Sequence, residues 1–367
     1  MWETPLDIKE KVMVDAFPNP AVPPEAVHMI DDPESGLAGV IVLHSTRRGP
    51  AAGGCRLWRY PSKAAMTADA LRLAEGMAYK NALADLPLGG GKAVIALPDG
   101  PFDRRRLFRA FGRAVAALDG AYVTAEDVGT IVADMAAVRE ETHHVAGLAL
   151  IAGRPGGDPS PWTARGVFLS MREAARRRFG TDLNNLTVAV QGLGNVGAAL
   201  CALLHEAGAK LIVAEPRPGV AAAIACRYGA EIMSSDSVLD ARCDIFAPCA
   251  LGGAIDRRAV GRLRARLVCG GANNVLATNE DGDRLAEAGV LYSPDYVVNA
   301  GGIINVAAEY LGWSAGEAAT RIEATGQRLA QVLDHAQRHG LAPHRAADAL
   351  ARERLVAPAP NKTCEAA

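Results

Sequence analysis

The stretch Leu186–Glu215, LTVAVQGLGNVGAALCALLHEAGAKLIVAE, constrains the fold more than any other part of the chain. Its apolar run from Leu186 to Val190 has the length of a strand buried on both faces. A glycine-rich turn follows at once, then an alanine- and leucine-rich segment from Asn195 that stops at Gly208. A second apolar run then ends on Glu215. Strand, turn, helix and strand in that order make a βαβ unit, so two parallel strands and a crossover helix are required. Gly192, Gly194 and Gly197 stand in GxGxxG spacing, in the context that this fingerprint demands. The first glycine permits the tight turn, the second lets a pyrophosphate approach the backbone, and the third lets helix and strand pack closely. Leu193, Asn195 and Val196 complete the turn and open the helix, whose N–H groups and positive dipole end favour phosphate. Glu215, 23 residues past Gly192, falls where a carboxylate accepts hydrogen bonds from a ribose diol, which points to NAD. The rival reading is a membrane span, since no Lys, Arg, Asp or Glu occurs from Leu186 to Leu204. Gln191, Asn195 and the three glycines interrupt such a span, whereas strand, turn and helix account for each of them.

At 367 residues the chain is long enough for two domains, and its 50% apolar and 22% charged residues suit sizeable cores. A net charge of −2 gives no electrostatic reason to expect nucleic acid or a membrane surface as partner. The arginine clusters Arg104–Arg106 and Arg176–Arg178 read as solvated helix faces. Seven cysteines without a CxxC pair fit reduced thiols rather than a disulfide framework. The first twenty residues lack the apolar core of a signal peptide. A soluble, cytoplasmic protein is expected.

Along the chain, His28 to Thr46 reads as a hairpin around the turn Asp31–Gly36, with an apolar strand at Val40–Leu43. Met66, Ala70, Leu73 and Met77 mark one stripe of a helix from Ser62 to Ala84. A strand at Ala93–Leu97 follows the glycines 89–91. Then come a basic helix (Arg104–Leu118), a strand (Ala121–Thr124) and a helix (Val132–His143). The segment Gly153–Pro161, with three glycines and three prolines, reads as a linker. Beyond it the pattern predicts a helix over Thr163–Phe179, the βαβ unit, and strands at Asp244–Pro248, Leu267–Gly270 and Val290–Tyr292. Helices follow at Gly302–Tyr310 and Ala315–His339, the latter with Ser314 and Glu317 in capping-box spacing. The expected architecture is α/β with two domains. Residues 1–150 form an α/β substrate and oligomerisation domain, and 151–325 a Rossmann-type doubly wound dinucleotide-binding domain. Residues 326–367 are a C-terminal helix and tail that pack back toward the first.

Chemistry needs a second site beyond the dinucleotide turn. Lys80 extends the apolar stripe of its helix, either as a ligand-binding ammonium or as a lysine snorkelling at the helix end. Lys92 stands between the triple glycine and the strand at Ala93, crowded by apolar neighbours, where burial beside another cation suits a base. A phosphate-binding P-loop is excluded there, because the first glycine of that motif is missing and Ala93 replaces its Ser/Thr. Glu126-Asp127 follows the strand Ala121–Thr124, as a helix cap or as carboxylates at a sheet's ligand-binding end. Asn273-Asn274 follows a later strand and is suited to capping a helix or holding a carboxamide. Asn299 precedes an apolar helix as its N-cap candidate. His143-His144 on a helix would point about 100° apart, and with no HExxH or Cys–His cluster no metal is expected. No GxSxG elbow occurs.

Together these segments closely resemble the amino acid dehydrogenases that act on leucine, valine, phenylalanine or, in some members, tryptophan, relatives of glutamate dehydrogenase. The resemblance runs from about Val27 to Arg354. It is carried by GPAAGGCR (Gly49–Arg56), GMAYKNALADLPLGGGKAVI (Gly76–Ile95), TAEDVGTIVADM (Thr124–Met135), GDPSPWTARGV (Gly157–Val167), VQGLGNVG (Val190–Gly197), FAPCALGG (Phe246–Gly253), GGANN (Gly270–Asn274) and SPDYVVNAGGIINV (Ser293–Val306). It implies that Lys80 binds the substrate carboxylate, that Lys92 is the catalytic acid/base and that Asp127 is the catalytic aspartate. Gly53 and Gly54 would line the site, and Asn273 would contact substrate beside the nicotinamide. Thr163, Cys249 and Ala250 would contact the cofactor.

The resemblance implies NAD-dependent, reversible oxidative deamination of an apolar L-amino acid by a homo-oligomer of two to eight copies. Two departures stand out. Glu215 replaces the family's usual Asp, with Arg217 nearby as a residue able to tolerate a 2′-phosphate. The side-chain pocket, expected from Ala52, Ala125, Ile303 and Val306, is leucine-like except at Ala52, where a small wall leaves room for phenylalanine or a bulkier aromatic such as tryptophan. Alternatives of other kinds are a 2-hydroxy acid dehydrogenase, which would want a well-placed histidine base, and a non-catalytic dinucleotide sensor, which would need none of Lys80, Lys92 and Asp127.

Overall fold

The computed structural model describes residues 22–150, 155–250 and 252–357. The chain forms two α/β units: Met1–Gly157 with Val306–Ser314 and Ala351–Ala367, and Asp158–Asn305 with Ala315–Leu350. Among the described residues no helix is long and apolar enough to cross a membrane.

The first unit is built on β1 (Ala26–Asp32), β2 (Leu37–Ser45), β3 (Ala51–Ala52), β4 (Cys55–Trp58), α1 (Lys63–Leu83), β5 (Gly89–Ala96), α2 (Arg104–Ala116), β6 (Tyr122–Val123) and α3 (Val132–Arg139). The strands run β1-β2-β5-β3-β6, with β4 also on β5. β1 and β2 form the antiparallel hairpin, longer than the apolar run alone suggests. Alternation along the strands sends Ile41, Leu43, Ala93 and Ile95 to one face, against Leu107, Phe108 and Phe111 of α2 and Met135 and Val138 of α3. It sends Val40, Val42 and Val94 to the other, against Met66, Ala70 and Ala74 of α1.

Ser62 caps α1 by accepting from the N–H of Ala65 at 3.1 Å. The buried stripe of α1 advances by fours through Met66, Ala70, Ala74 and Ala78, and Leu73 and Met77 are only half-buried. The glycines 89–91, expected to precede a strand, are part of one. A Cβ on Gly90 would lie 2.1 Å from the Cα of Ala78, so helix and strand touch backbone to backbone there. Lys92 is therefore inside β5 rather than ahead of it.

Other boundaries shift for local reasons. α3 stops at Arg139, short of His143, because the chain turns back so that Val145 can bridge Thr124. His143 and His144 lie outside any helix, and their rings sit 3.9 Å apart rather than diverging, with Nδ1 of His144 3.0 Å from the Tyr310 hydroxyl.

The second unit contains α4 (Ser160–Phe179), β7 (Thr187–Gln191), α5 (Asn195–Glu206), β8 (Lys210–Ala214), α6 (Pro218–Tyr228), β9 (Glu231–Met233), β10 (Ile245–Pro248), α7 (Arg257–Arg262), β11 (Leu267–Val268), α8 (Asn279–Glu287), β12 (Leu291–Tyr292) and α9 (Asp295–Val298). Its sheet is parallel throughout, in the order β12-β11-β10-β7-β8-β9, a doubly wound Rossmann arrangement. α4 begins at Ser160, inside the segment expected to be linker, since a proline is tolerated in a first helical turn. Residues 153 and 154 of that segment lie outside the described residues, as do 151 and 152 before it and the tail beyond 357.

The chain ends through α10 (Gly301–Leu311), α11 (Ala315–Glu323), α12 (Thr325–His339) and α13 (Pro343–Val356). The single helix expected over Ala315–His339 is thus two. The buried Thr325 hydroxyl donates back to the Ile322 carbonyl at 2.6 Å, a side-chain bond that competes with the helix ladder where the break falls. The arginine clusters are engaged rather than merely solvated. Arg104 forks onto Asp134, Arg105 pairs with Glu140, Arg176 with Asp182, and Arg178 donates to the carbonyl oxygens of Arg266 and Gly289.

Candidate active site

Strand register gathers the first group of residues. β3 and β4 run parallel to β5 in succession, beside Gly89–Gly90 and then Ala93–Ala96, interrupted by Gly53-Gly54. A Cβ on Gly53 would lie 1.9 Å from the Gly91 carbonyl oxygen, and one on Gly54 would lie 2.9 Å from the Asp127 Cβ. Only glycine lets the chain pass so close to the two residues it separates. Cys55 bridges Glu126 in parallel, which sets Asp127 beside Arg56. The Lys92 ammonium, almost wholly buried, reaches the Asp127 carboxylate at 2.8 Å. Asp127 is not a helix cap. Thr130 turns the loop under it, accepting from the Asp127 N–H and donating to the Cys55 carbonyl. Burial works against the charge of Asp127, but Lys92 and then Arg56 outweigh it and hold the carboxyl below its usual range. A buried ion pair beside the Gly53-Gly54 break can exchange protons with a substrate placed there.

Around this pair, Tyr122 donates to the Gly53 carbonyl at 2.6 Å, and Asn81 donates to Ala52 and Gly89. Ala52 and Ala125 are buried, and Val306 is half-buried. Lys80 lies half-buried in the last turn of α1. Arg56, to which the sequence alone assigns no role, also belongs to the site: its Nε donates to Asp127 at 3.1 Å. Its signal was spacing: it stands two residues past Gly54 on the strand beside Lys92.

In the second unit, the C-terminal ends of β7 and β10 lie side by side, with Gln191 opposite Pro248. Gly192 has φ 91° and turns against Ala250, and Cys249 donates its N–H to the Gln191 carbonyl at 2.7 Å. A Cβ on Gly197 would fall 2.0 Å from the Gly192 carbonyl oxygen, whereas one on Gly194 would meet nothing within 4 Å. Gly194 is also the N-cap of α5 and caps it with no side chain. An open glycine at an uncapped helix start fits a dinucleotide's pyrophosphate. Leu193 is buried, Asn195 is exposed and Val196 faces Gly271. Glu215 accepts from the Leu193 N–H at 2.9 Å and from Arg217 Nε at 2.6 Å. Arg217's hydrogen bond is the largest influence holding the Glu215 carboxyl down, at about 2.

Asn299 is not the N-cap of α10. It closes α9, and its amide donates to the Ala272 carbonyl and to Oδ1 of Asn273, which sits exposed after β11. Thr163 donates to the Pro159 carbonyl within the first turns of α4, against Gly302. Ile303 is half-buried on α10.

A doubly wound dinucleotide domain joined to an α/β unit carrying a buried Lys–Asp pair defines a dehydrogenase with acid/base chemistry. The chain belongs to the Glu/Leu/Phe/Val dehydrogenase family of amino acid dehydrogenases. The family's dimerisation domain matches residues 24–144, and its Glutamate/Leucine/Phenylalanine/Valine dehydrogenase domain matches 158–221 and 217–361. It is 45% identical to the leucine dehydrogenase of Bacillus subtilis over 90% of this chain and 91% of that one. It is 42% identical to the valine dehydrogenase of Streptomyces coelicolor over 92% and 93%. The crystal structure of L-tryptophan dehydrogenase from Nostoc punctiforme superposes with a TM-score of 0.81 at 36% identity, covering 90% of this chain and 96% of that one.

Proposed function

We propose that the protein catalyses the NAD-dependent, reversible oxidative deamination of an apolar L-amino acid to its 2-oxo acid and ammonia, with leucine and its branched relatives foremost and phenylalanine close to them. The Lys92–Asp127 pair at 2.8 Å, beside the Gly53-Gly54 break, carries this reading, because an amine-releasing reaction needs groups that give and take protons. Lys80 neutralises the substrate carboxylate. Bound NAD supplies the hydride acceptor. Asp127 takes one proton from the substrate ammonium, and loss of the Cα hydride then leaves an iminium. Lys92, its proton released to solvent, takes one from the water that attacks the iminium carbon, Asp127 returns its proton to the nitrogen, and the amine leaves as ammonium, carrying the hydroxyl proton, as the carbonyl forms. Asn273 holds the substrate beside the nicotinamide. Gly192–Gly197, Glu215, Thr163, Cys249 and Ala250 bind the dinucleotide.

The family resemblance implies a side-chain pocket from Ala52, Ala125, Ile303 and Val306, residue types with no charge or side-chain hydrogen bond, so a polar substrate side chain would be left unpaired. The match to a dimerisation domain supports a homo-oligomer, and a cytoplasmic location is part of the same proposal. The test is NADH formation with a panel of twenty L-amino acids. Turnover led by leucine, valine, isoleucine or phenylalanine is expected. A tryptophan optimum would widen the pocket, glutamate as best substrate would reject it, and silence across the panel with NAD still bound would replace the enzyme by a sensor.

A further inference from the structure

Arg56 has no part in the proton transfers above, yet it is built into them. β4 pairs with β5 so that Arg56 stands opposite Val94, the next residue after Lys92 on that face of the strand. Both side chains thus project toward α1. Arg56 Nε donates to Asp127 Oδ2 at 3.1 Å, the same oxygen that Lys92 contacts at 2.8 Å. Its other edge is fixed by Asp69 of α1, whose Oδ2 accepts from Arg56 at 2.9 Å and from the Tyr60 hydroxyl at 2.6 Å. Asp69 Oδ1 in turn accepts from Arg72 at 2.8 Å. The result is an alternating row, Lys92–Asp127–Arg56–Asp69–Arg72, whose middle three side chains are less than a quarter exposed.

We propose that Arg56 is a positioning residue: it orients the Asp127 carboxylate and is the permanent countercharge that returns Asp127 to its ionised form between proton transfers, whichever proton state Lys92 holds. The inference rests on the proton-transfer roles proposed above for Lys92 and Asp127. When Lys92 has given up its proton, Asp127 loses one of its two cationic partners, and a buried carboxylate left alone is costly. A guanidinium cannot be deprotonated in this range, so it alone supplies a charge that does not change during turnover. Its fork, held at the far edge by Asp69, also sets which oxygen of Asp127 faces Lys92. The titratable groups around Asp127 are Lys92 from β5, Arg56 and Cys55 from β4, and Tyr122 from β6, with Asp69 and Arg72 behind Arg56. Cys55 and Tyr122 are buried and shifted upward, burial being the main cause, so both are neutral where the enzyme would work. Removing the Arg56 charge therefore lets Asp127 protonate at higher pH.

The test compares Arg56→Gln and Arg56→Lys in the full-length enzyme, with Lys92→Gln and Asp127→Asn as reference variants. Arg56→Gln should lower kcat about 10²-fold, as misplacement of an acid/base group does, with NAD affinity and KM for leucine nearly unchanged. The acid limb of its kcat profile should move up by about one pH unit or more. Arg56→Lys keeps the charge but loses the fork, so its limb should stay in place while kcat falls by a smaller factor. A folded Arg56→Gln with parental kcat and an unmoved limb overturns the proposal. If that variant does not fold, Arg56→Lys decides, and parental kcat or a shifted limb there is fatal. Near-normal turnover in Lys92→Gln or Asp127→Asn would instead remove the proton-transfer reading itself.

Discussion

Glu215, the last acid of the βαβ unit, accepts a hydrogen bond from the backbone N–H of Leu193, inside the glycine turn that starts 23 residues earlier. One carboxylate thus fixes the turn and closes off Arg217, whose Nε it binds at 2.6 Å. A 2′-phosphate arriving there would meet a negative charge before a cation. NAD should accordingly exceed NADP in kcat/KM, and Glu215→Gln should narrow the ratio by releasing Arg217. The Glu215 carboxyl is held at about 2 against an ordinary 4.5. A depressed acid stabilises the fold above the ordinary value and loses that contribution as pH falls through the depressed one, so Glu215 should add no pH dependence to stability or cofactor choice above about pH 5. Equal use of the two cofactors by the unaltered enzyme would show that Arg217 outweighs Glu215.

In the proposed reaction Lys80 binds the substrate carboxylate in ground and transition states alike. Lys80→Ala should raise KM for the amino acid about 10- to 100-fold, the worth of a charge-assisted hydrogen bond, and lower kcat less. An unchanged KM would return Lys80 to the role of a lysine snorkelling at the end of α1.

Ala52 is 4% exposed, and its carbonyl is held by Asn81, so its place in β3 is rigid. Ala52→Leu should lower kcat/KM for phenylalanine more than for valine, because differences of a few methylenes are worth about 1–3 kcal/mol each in an apolar pocket. Equal losses for the two substrates would mean that Ala52 is not a wall.

Gly90 meets Ala78 backbone to backbone, and an added methyl would overlap the Ala78 Cα at 2.1 Å. Gly90→Ala should destabilise the first unit by at least about 1–3 kcal/mol, read as a lower denaturant midpoint. Gly76→Ala, on α1, the helix that carries Ala78, with nothing within 4 Å of the added carbon, is the control and should be neutral to about 1 kcal/mol stabilising.

The βαβ unit was legible in the sequence because its signals are local. A strand, a turn needing glycines and a helix follow one another within thirty residues, so the chain order alone implies the unit. Lys92 and Asp127 were visible as residues, through their motifs, but not as a pair. The glycine run 89–91 reads as a break, since glycine weakens a strand, and only the pressure of α1 at Ala78 and of the Ser45 carbonyl on Gly89 explains why a strand needs glycines there. Asn299 read as a helix cap for a similar reason: the carbonyl of Ala272 and the amide of Asn273, which claim its side chain, lie 26 to 27 residues away. Arg56 carried no signal beyond its spacing, because its two partners stand 13 and 71 residues away along the chain. Sequence determined which chemistry this protein can hold, through residue types and short-range turns. Tertiary structure decided which charges face one another, because strand register and a helix laid against glycines bring distant side chains onto one face.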